Sequence, residues 1–314
     1  MSRVAAIDCG TNSIRLLVAD VVDGRIARDV HREMRVVRLG EGVDATGRIS
    51  AAALARTEAA LADYVAVLRR KGVEKARMVA TSAMRDAENK EDFFAMTERL
   101  LGFPAEVISG DEEARLSFTG AVGDLDPDDG PFLVTDIGGG STEVVLGTWD
   151  GAAVEVLAAR STDIGCVRLT ERALPGDPPT PEQVAEARRI ADKVLAEAFQ
   201  AVPVAGARTW VGVAGTVTTI AAVALDLDEY DPEAIHLTEL APARLAETTA
   251  RLIAADRATR AAIPVVHPGR VDVIGGGSVV VDALAQRIFT GSAVPALVVS
   301  EHDILDGVAL SLSS

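Results

Sequence analysis

The chain has 314 residues, 48% hydrophobic and 25% charged, with a formal net charge of −16 and a pI near 4.7. That length suits two domains of roughly 150 residues each, and no run approaches the ~18 uninterrupted apolar residues of a membrane span. The acidity argues against nucleic-acid binding, which demands surplus Lys and Arg, and were any ligand a phosphate, it would have to be held locally by loop N–H groups, a few arginines and a metal.

Met1-Ser2-Arg3 leads straight into apolar residues 4–7 without a charged-then-apolar export signal, so a cytoplasmic location is expected. Strands are predicted over 4–7, 14–22 and 25–39, with Asp23-Gly24 as a hairpin turn. Ser50 opens a helix to about Lys71, with Leu54, Leu61, Val65 and Leu68 near helical spacing and Gly72 as a stop. A strand over 78–80 runs into the turn Thr81-Ser82-Ala83-Met84-Arg85, followed by a helix over 91–101 and a strand over 105–108. After Ser109-Gly110, residues 111–116 open a new helix whose acids complement its dipole. The Asp-rich, Pro- and Gly-punctuated stretch 123–131 marks the domain junction.

Beyond it, strand 132–135, loop 136–141 and strand 142–147 repeat the design of the N-terminus, offset by 128 residues from Asp8 to Asp136. Thr180-Pro181-Glu182-Gln183 has the form of a helix start with a capping box. A strand over 209–214 meets a turn at Gly215-Thr216, helices start near 242 and 279, and a last strand over 297–299 precedes a C-terminal helix from about 303.

Two loops carry the chemistry. Asp8-Cys9-Gly10-Thr11-Asn12-Ser13 lies between two strands, where the N–H groups of Thr11, Asn12 and Ser13 point outward. In Asp136-Ile137-Gly138-Gly139-Gly140-Ser141-Thr142-Glu143, the three glycines and Ser141 let backbone approach an anion closely. A polar β-turn is the alternative for the first loop.

These segments, with 81–85, Ser109-Gly110-Asp111-Glu112-Glu113-Ala114-Arg115-Leu116, Ile164-Gly165-Cys166-Val167-Arg168 and Gly212-Val213-Ala214-Gly215-Thr216, resemble the exopolyphosphatase/guanosine pentaphosphate phosphohydrolase family. The resemblance implies an α/β, duplicated two-domain fold of the actin, hexokinase and Hsp70 (ribonuclease H-like) group, with an interdomain cleft. Domain I would take 1–124 with 300–314 and domain II 125–299.

It also implies Glu113 as the general base, Asp136 and Glu143 as Mg²⁺ ligands with Asp8 either joining them or bracing its loop, and Arg85 on phosphate. Gly215-Thr216, at a strand-to-helix turn, offers another phosphate site or an ordinary cap. The expected activity is Mg²⁺-dependent release of terminal phosphate from inorganic polyphosphate by a homodimer. The acidity, and the absence of the C-terminal helical domains of longer relatives, favour short chains.

Guanosine pentaphosphate hydrolysis is the alternative, and a kinase or ATPase of the same fold, or a non-catalytic polyphosphate sensor, are more distant rivals. Gly275-Gly276-Gly277-Ser278 is either a nucleotide contact, as in ATP-using relatives, or a tight turn before a helix. Cys9 and Cys166 lack Cys-x-x-Cys spacing and are expected to be reduced. His31, His236, His267 and His302 are scattered without ligand spacing and read as structural or solvated.

Overall fold

The computed structural model describes residues 2–312 and divides into two compact units, one running to Gly120 and resuming at Ile304, the other Ala121–Asp303. The first contains β1 (Ser2–Cys9), β2 (Ser13–Val22), β3 (Arg25–Val36), α1 (Val43–Thr46), α2 (Ala51–Lys71), β4 (Lys75–Ala80), α3 (Ser82–Asp86), α4 (Lys90–Leu101), β5 (Glu106–Val107), most of α5 (Gly110–Ala121), and the C-terminal helix Ile304–Ser311. Its sheet has the order β3-β2-β1-β4-β5, an antiparallel meander followed by strands parallel to β1.

Strand β1 is apolar on both faces because both are covered. Ala5, Ile7 and Cys9 join a core with Leu61 of α2 and Phe93 of α4, while Val4 and Ala6 join one with Leu305 and Val308 of the C-terminal helix. Ser50 caps α2 by accepting from the Ala53 N–H, and Gly72 ends it at φ 66. The buried stripe of α2 is Ala60, Leu61, Tyr64 and Val67, so the expected Leu54, Val65 and Leu68 lie only at its margin. A buried tyrosine decides the rotation, because its hydroxyl reaches the Ile14 carbonyl at 3.0 Å.

The C-terminal helix docks closely. A Cβ on Gly307 would lie 2.0 Å from the Leu116 carbonyl oxygen. Arg32 grips Asp306 through Nη2 and Nη1 at 2.5 and 3.1 Å. Gly307→Ala is therefore expected to destabilise the protein by about 1–3 kcal/mol, read as a lower denaturant midpoint at unchanged slope.

The second unit contains β6 (Phe132–Ile137), β7 (Thr142–Trp149), β8 (Val154–Thr162), α6 (Cys166–Ala173), α7 (Pro181–Ala201), β9 (Thr209–Val213), α8 (Ala214–Ala224), α9 (Pro232–Ile235), β10 (Glu239–Leu240), α10 (Pro242–Ala254), α11 (Arg257–Ala261), α12 (Ile274–Gly291) and β11 (Leu297–Val299). Read from β8, the sheet runs β8-β7-β6-β9-β11-β10, and its first five strands reproduce the order of the first unit. The repeat seen in the loops extends to the topology. The capping box of Thr180 and Gln183 is formed as expected.

One expectation is corrected. The glycines at 275–277 form neither a turn nor a loop, because α12 already begins at Ile274. Added Cβ atoms would lie 2.8 Å from Arg260 Nη2, 2.3 Å from Thr170 Oγ1 and 2.6 Å from Thr216 Cγ2 at Gly275, Gly276 and Gly277 respectively. These glycines let α6, α8 and Arg260 approach α12. Protein atoms therefore occupy the space beside all three glycines.

Candidate functional site

In the first unit the functional side chains follow the carboxyl ends of β1, β4 and β5, the edge where parallel strands present ligand-binding loops. The β1–β2 hairpin closes through the Gly10 N–H donating to Ser13 O at 2.9 Å. Its carbonyls are occupied from outside: Asn12 O accepts from the Val37 and Arg38 N–H groups, and Thr11 O from Gly40 N–H. With the carbonyls turned that way, the loop amides face the other way. Thr11 and Ser82 share a hydroxyl contact of 2.9 Å, which ties the hairpin to the start of α3.

Arg85 and Glu113, assigned separate roles from sequence, are brought together. Arg85 Nη1 donates to Glu113 Oε2 at 2.6 Å and to Ile108 O at 3.1 Å. Glu113 is buried in the first turn of α5, while its neighbour Glu112 is half-buried and pairs with Arg77 at 2.6 Å. The helix therefore separates the two acids, presenting only Glu113 to the arginine.

The second unit repeats the hairpin device. Gly138 N–H donates to Ser141 O at 3.1 Å, Gly138 O accepts from Cys166 N–H, and Gly139 O accepts from the Val167 and Arg168 N–H groups. Arg168 adds its Nε on Gly140 O at 2.7 Å. The N-terminus of α6 thus engages the carbonyl side of the glycine loop. The N–H groups of Gly139 and Gly140 enter no backbone–backbone bond among the described residues. Such amides can donate to an anion.

Asp136 and Glu143 are buried, 5% and 1% exposed, and are direct cross-strand partners on β6 and β7. Like charges set opposite each other repel, so this all-oxygen pair suits a hard cation. Ser161 on β8 orients it, donating to Glu143 Oε1 at 2.6 Å.

Asp8 occupies the equivalent place in the first hairpin, but its cross-strand partner is Arg15, which donates to Asp8 Oδ2 through Nε at 3.0 Å and Nη2 at 2.6 Å. That carboxylate already has an internal cation.

Gly215 and Thr216 lie in the first turn of α8 rather than in a turn ahead of it. That helix has no side-chain cap, and Ala214 holds φ 68, a left-handed conformation costly for alanine. Arg270 lies across this turn, with Nη1 on Gly215 O at 2.9 Å and on Thr219 Oγ1 at 3.0 Å.

Arg15, Arg168, Arg270 and Ser161 were not singled out as site residues from sequence. Arg15 alone carried a signal, as the counterpart of Glu143 in the 128-residue repeat. Burial raises the pKa of both Cys9 and Cys166, which keeps them as thiols and outside the chemistry.

Duplicated α/β units, each presenting a hairpin loop amide-side outward, define a phosphate-handling protein with one carboxylate pair fit for a metal. A sequence model of the Ppx/GppA phosphatase family matches residues 17–312. The chain is 55% identical to Exopolyphosphatase 2 of Mycobacterium tuberculosis, covering 100% of this chain and 99% of the relative. The crystal structure of an exopolyphosphatase-like protein superimposes with a TM-score of 0.93 at 43% identity, covering 99% of this chain and 97% of that one. The Ppx/GppA enzyme of Aquifex aeolicus gives 0.79 at 32% identity, covering 99% of both chains. The chain belongs to the Ppx/GppA phosphatase family.

Proposed function

We propose that this protein is an exopolyphosphatase, releasing orthophosphate from the end of inorganic polyphosphate with Mg²⁺ and favouring short chains. The observation that carries the reading is the buried Glu113, separated from its acidic neighbours and held at 2.6 Å by Arg85. The full-length likeness to Exopolyphosphatase 2 supports the substrate class.

In this reading Glu113 takes a proton from water as the water oxygen bonds to the terminal phosphorus. The bridging P–O bond then breaks, leaving orthophosphate and a chain one unit shorter. Arg85 orients the base, and the outward amides of a hairpin loop donate to phosphate oxygens. Asp136 and Glu143 would hold Mg²⁺, which neutralises charge on the phosphate oxygens when bound. The net charge of −16 opposes long polyanions.

The test is orthophosphate release from triphosphate, long polyphosphate, guanosine pentaphosphate and ATP, with and without Mg²⁺. Triphosphate is expected to be the best substrate, and chelation to abolish turnover. Preference for guanosine pentaphosphate would replace the substrate assignment, and full activity in chelator would overturn the metal. Asp136→Asn is expected to raise the Mg²⁺ concentration for half-maximal activity by roughly 10–100-fold; an unchanged requirement would remove Asp136 from the metal.

A cytoplasmic location and a homodimer complete the proposal on the family resemblance. No helix among the described residues is long and apolar enough to cross a membrane. The dimer predicts a solution mass near twice 32.7 kDa by light scattering.

A further inference from the structure

Three ligand-type side chains of the second unit, none used above, converge on one point. His302 Nδ1 lies 2.6 Å from Asp124 Oδ2, and His236 Nε2 lies 3.4 Å from the same oxygen. The imidazoles tilt at 42° with centroids 4.7 Å apart, and the three donor atoms all lie within 4.8 Å of one another. The main chain enforces this meeting: Leu237 N–H donates to Val299 O at 2.7 Å, which sets His236 beside the segment carrying His302. Asp124 is exposed and both imidazoles half-buried, so a cation has access and room for water ligands.

We propose that Asp124, His236 and His302 form a binding site for a borderline divalent cation such as Zn²⁺ or Co²⁺. Two imidazoles and a carboxylate are the donor set such ions select, whereas Mg²⁺ prefers oxygen alone. The two cations therefore sort between the two sites by ligand chemistry. The His236 and Asp124 atoms already stand near the ~3.3 Å separation of donors around a tetrahedral ion with ~2.0 Å bonds, while the His302 contact must open by roughly 0.7 Å.

Coordination has a cost at His236. Glu301 N–H donates to its Nδ1 at 3.3 Å, which places the ring proton on Nε2. A cation at Nε2 shifts that proton to Nδ1 and gives up the bond to Glu301, so the site binds more weakly than a preformed structural zinc centre. Binding links three chain segments, following α5, following α9 and preceding the C-terminal helix, and stabilises the fold by mass action.

The full-length protein is titrated with Co²⁺ while its visible d–d absorption is followed, and Zn²⁺ binding is measured by calorimetry. One ion per chain is expected, with a rise in melting temperature. His236→Ala and His302→Ala are each expected to weaken binding about 100-fold, while His31→Ala and His267→Ala leave it unchanged. Circular dichroism checks each variant, and His236→Gln serves in place of one that fails to fold. No saturable uptake would overturn the site, as would uptake that survives the His236→Ala/His302→Ala double variant or disappears with His31→Ala.

Discussion

Glu113→Gln is expected to lower the turnover number for orthophosphate release by about 10²- to 10⁴-fold, the range supplied by a positioned general base. Glutamine keeps the size of the side chain and an oxygen to accept from Arg85, so the 2.6 Å contact has a neutral substitute and the fold has no reason to change. What it loses is the capacity to take a proton. Glu112→Gln is the matched control on the same helix: that acid pairs with Arg77 and is expected to leave turnover within about twofold of wild type. A Glu113→Gln protein of normal melting temperature and full activity would remove Glu113 from the reaction. Equal losses in both variants would point to helix distortion instead.

Gly165→Ala should have the largest effect of any single-methyl change on the second loop. Its added Cβ would lie 2.5 Å from the Gly139 carbonyl carbon and 2.7 Å from Gly138 O, and main-chain atoms in a bonded turn cannot step aside as a side chain can. The residue's φ is −160, which alanine adopts freely, so the conflict is purely steric. Either the glycine loop or the start of α6 must move, loosening the carbonyl bonds that turn the amides outward. We expect kcat/KM to fall by about 100-fold, the scale of a 1 Å misplacement, with about 1–3 kcal/mol of lost stability. Gly123→Ala, with nothing within 4 Å of its added methyl, is the neutral control. Unchanged kcat/KM in Gly165→Ala would show that the loop's orientation does not depend on this contact.

The parts of the site legible in the sequence are those built by neighbours in the chain. The hairpin loops declared themselves through their glycines, flanking strands and 128-residue repeat, and Glu113 through the family resemblance of the run Glu112-Glu113-Ala114-Arg115. What escaped is held by distant segments. Nothing near Arg168 says that it will bond Gly140, and the assignment of α12 failed because glycine disfavours helix interiors while close packing against α6 and α8 demands it there. His236 and His302 looked scattered for the same reason, since a main-chain contact to Val299 sets them side by side. Edge strand β8 was missed because one face is left to solvent, with Leu157 53% exposed, and only its packing on α7 marks it.

The hairpins also record how a duplicated protein divides its labour. Both copies keep an aspartate at the end of the first strand and the same closing bond, yet opposite it one copy has arginine and the other glutamate. That one difference pairs the first aspartate with a cation from its own hairpin and sets two acids side by side in the second. Designed versions that are symmetric at this position would have paired acids in both hairpins, with glutamate at both, or in neither, with arginine at both. Specialisation at this step therefore needs only one charge reversal on an unchanged backbone, and the pair Arg15→Glu and Glu143→Arg would show whether the ion follows the glutamate from one copy to the other.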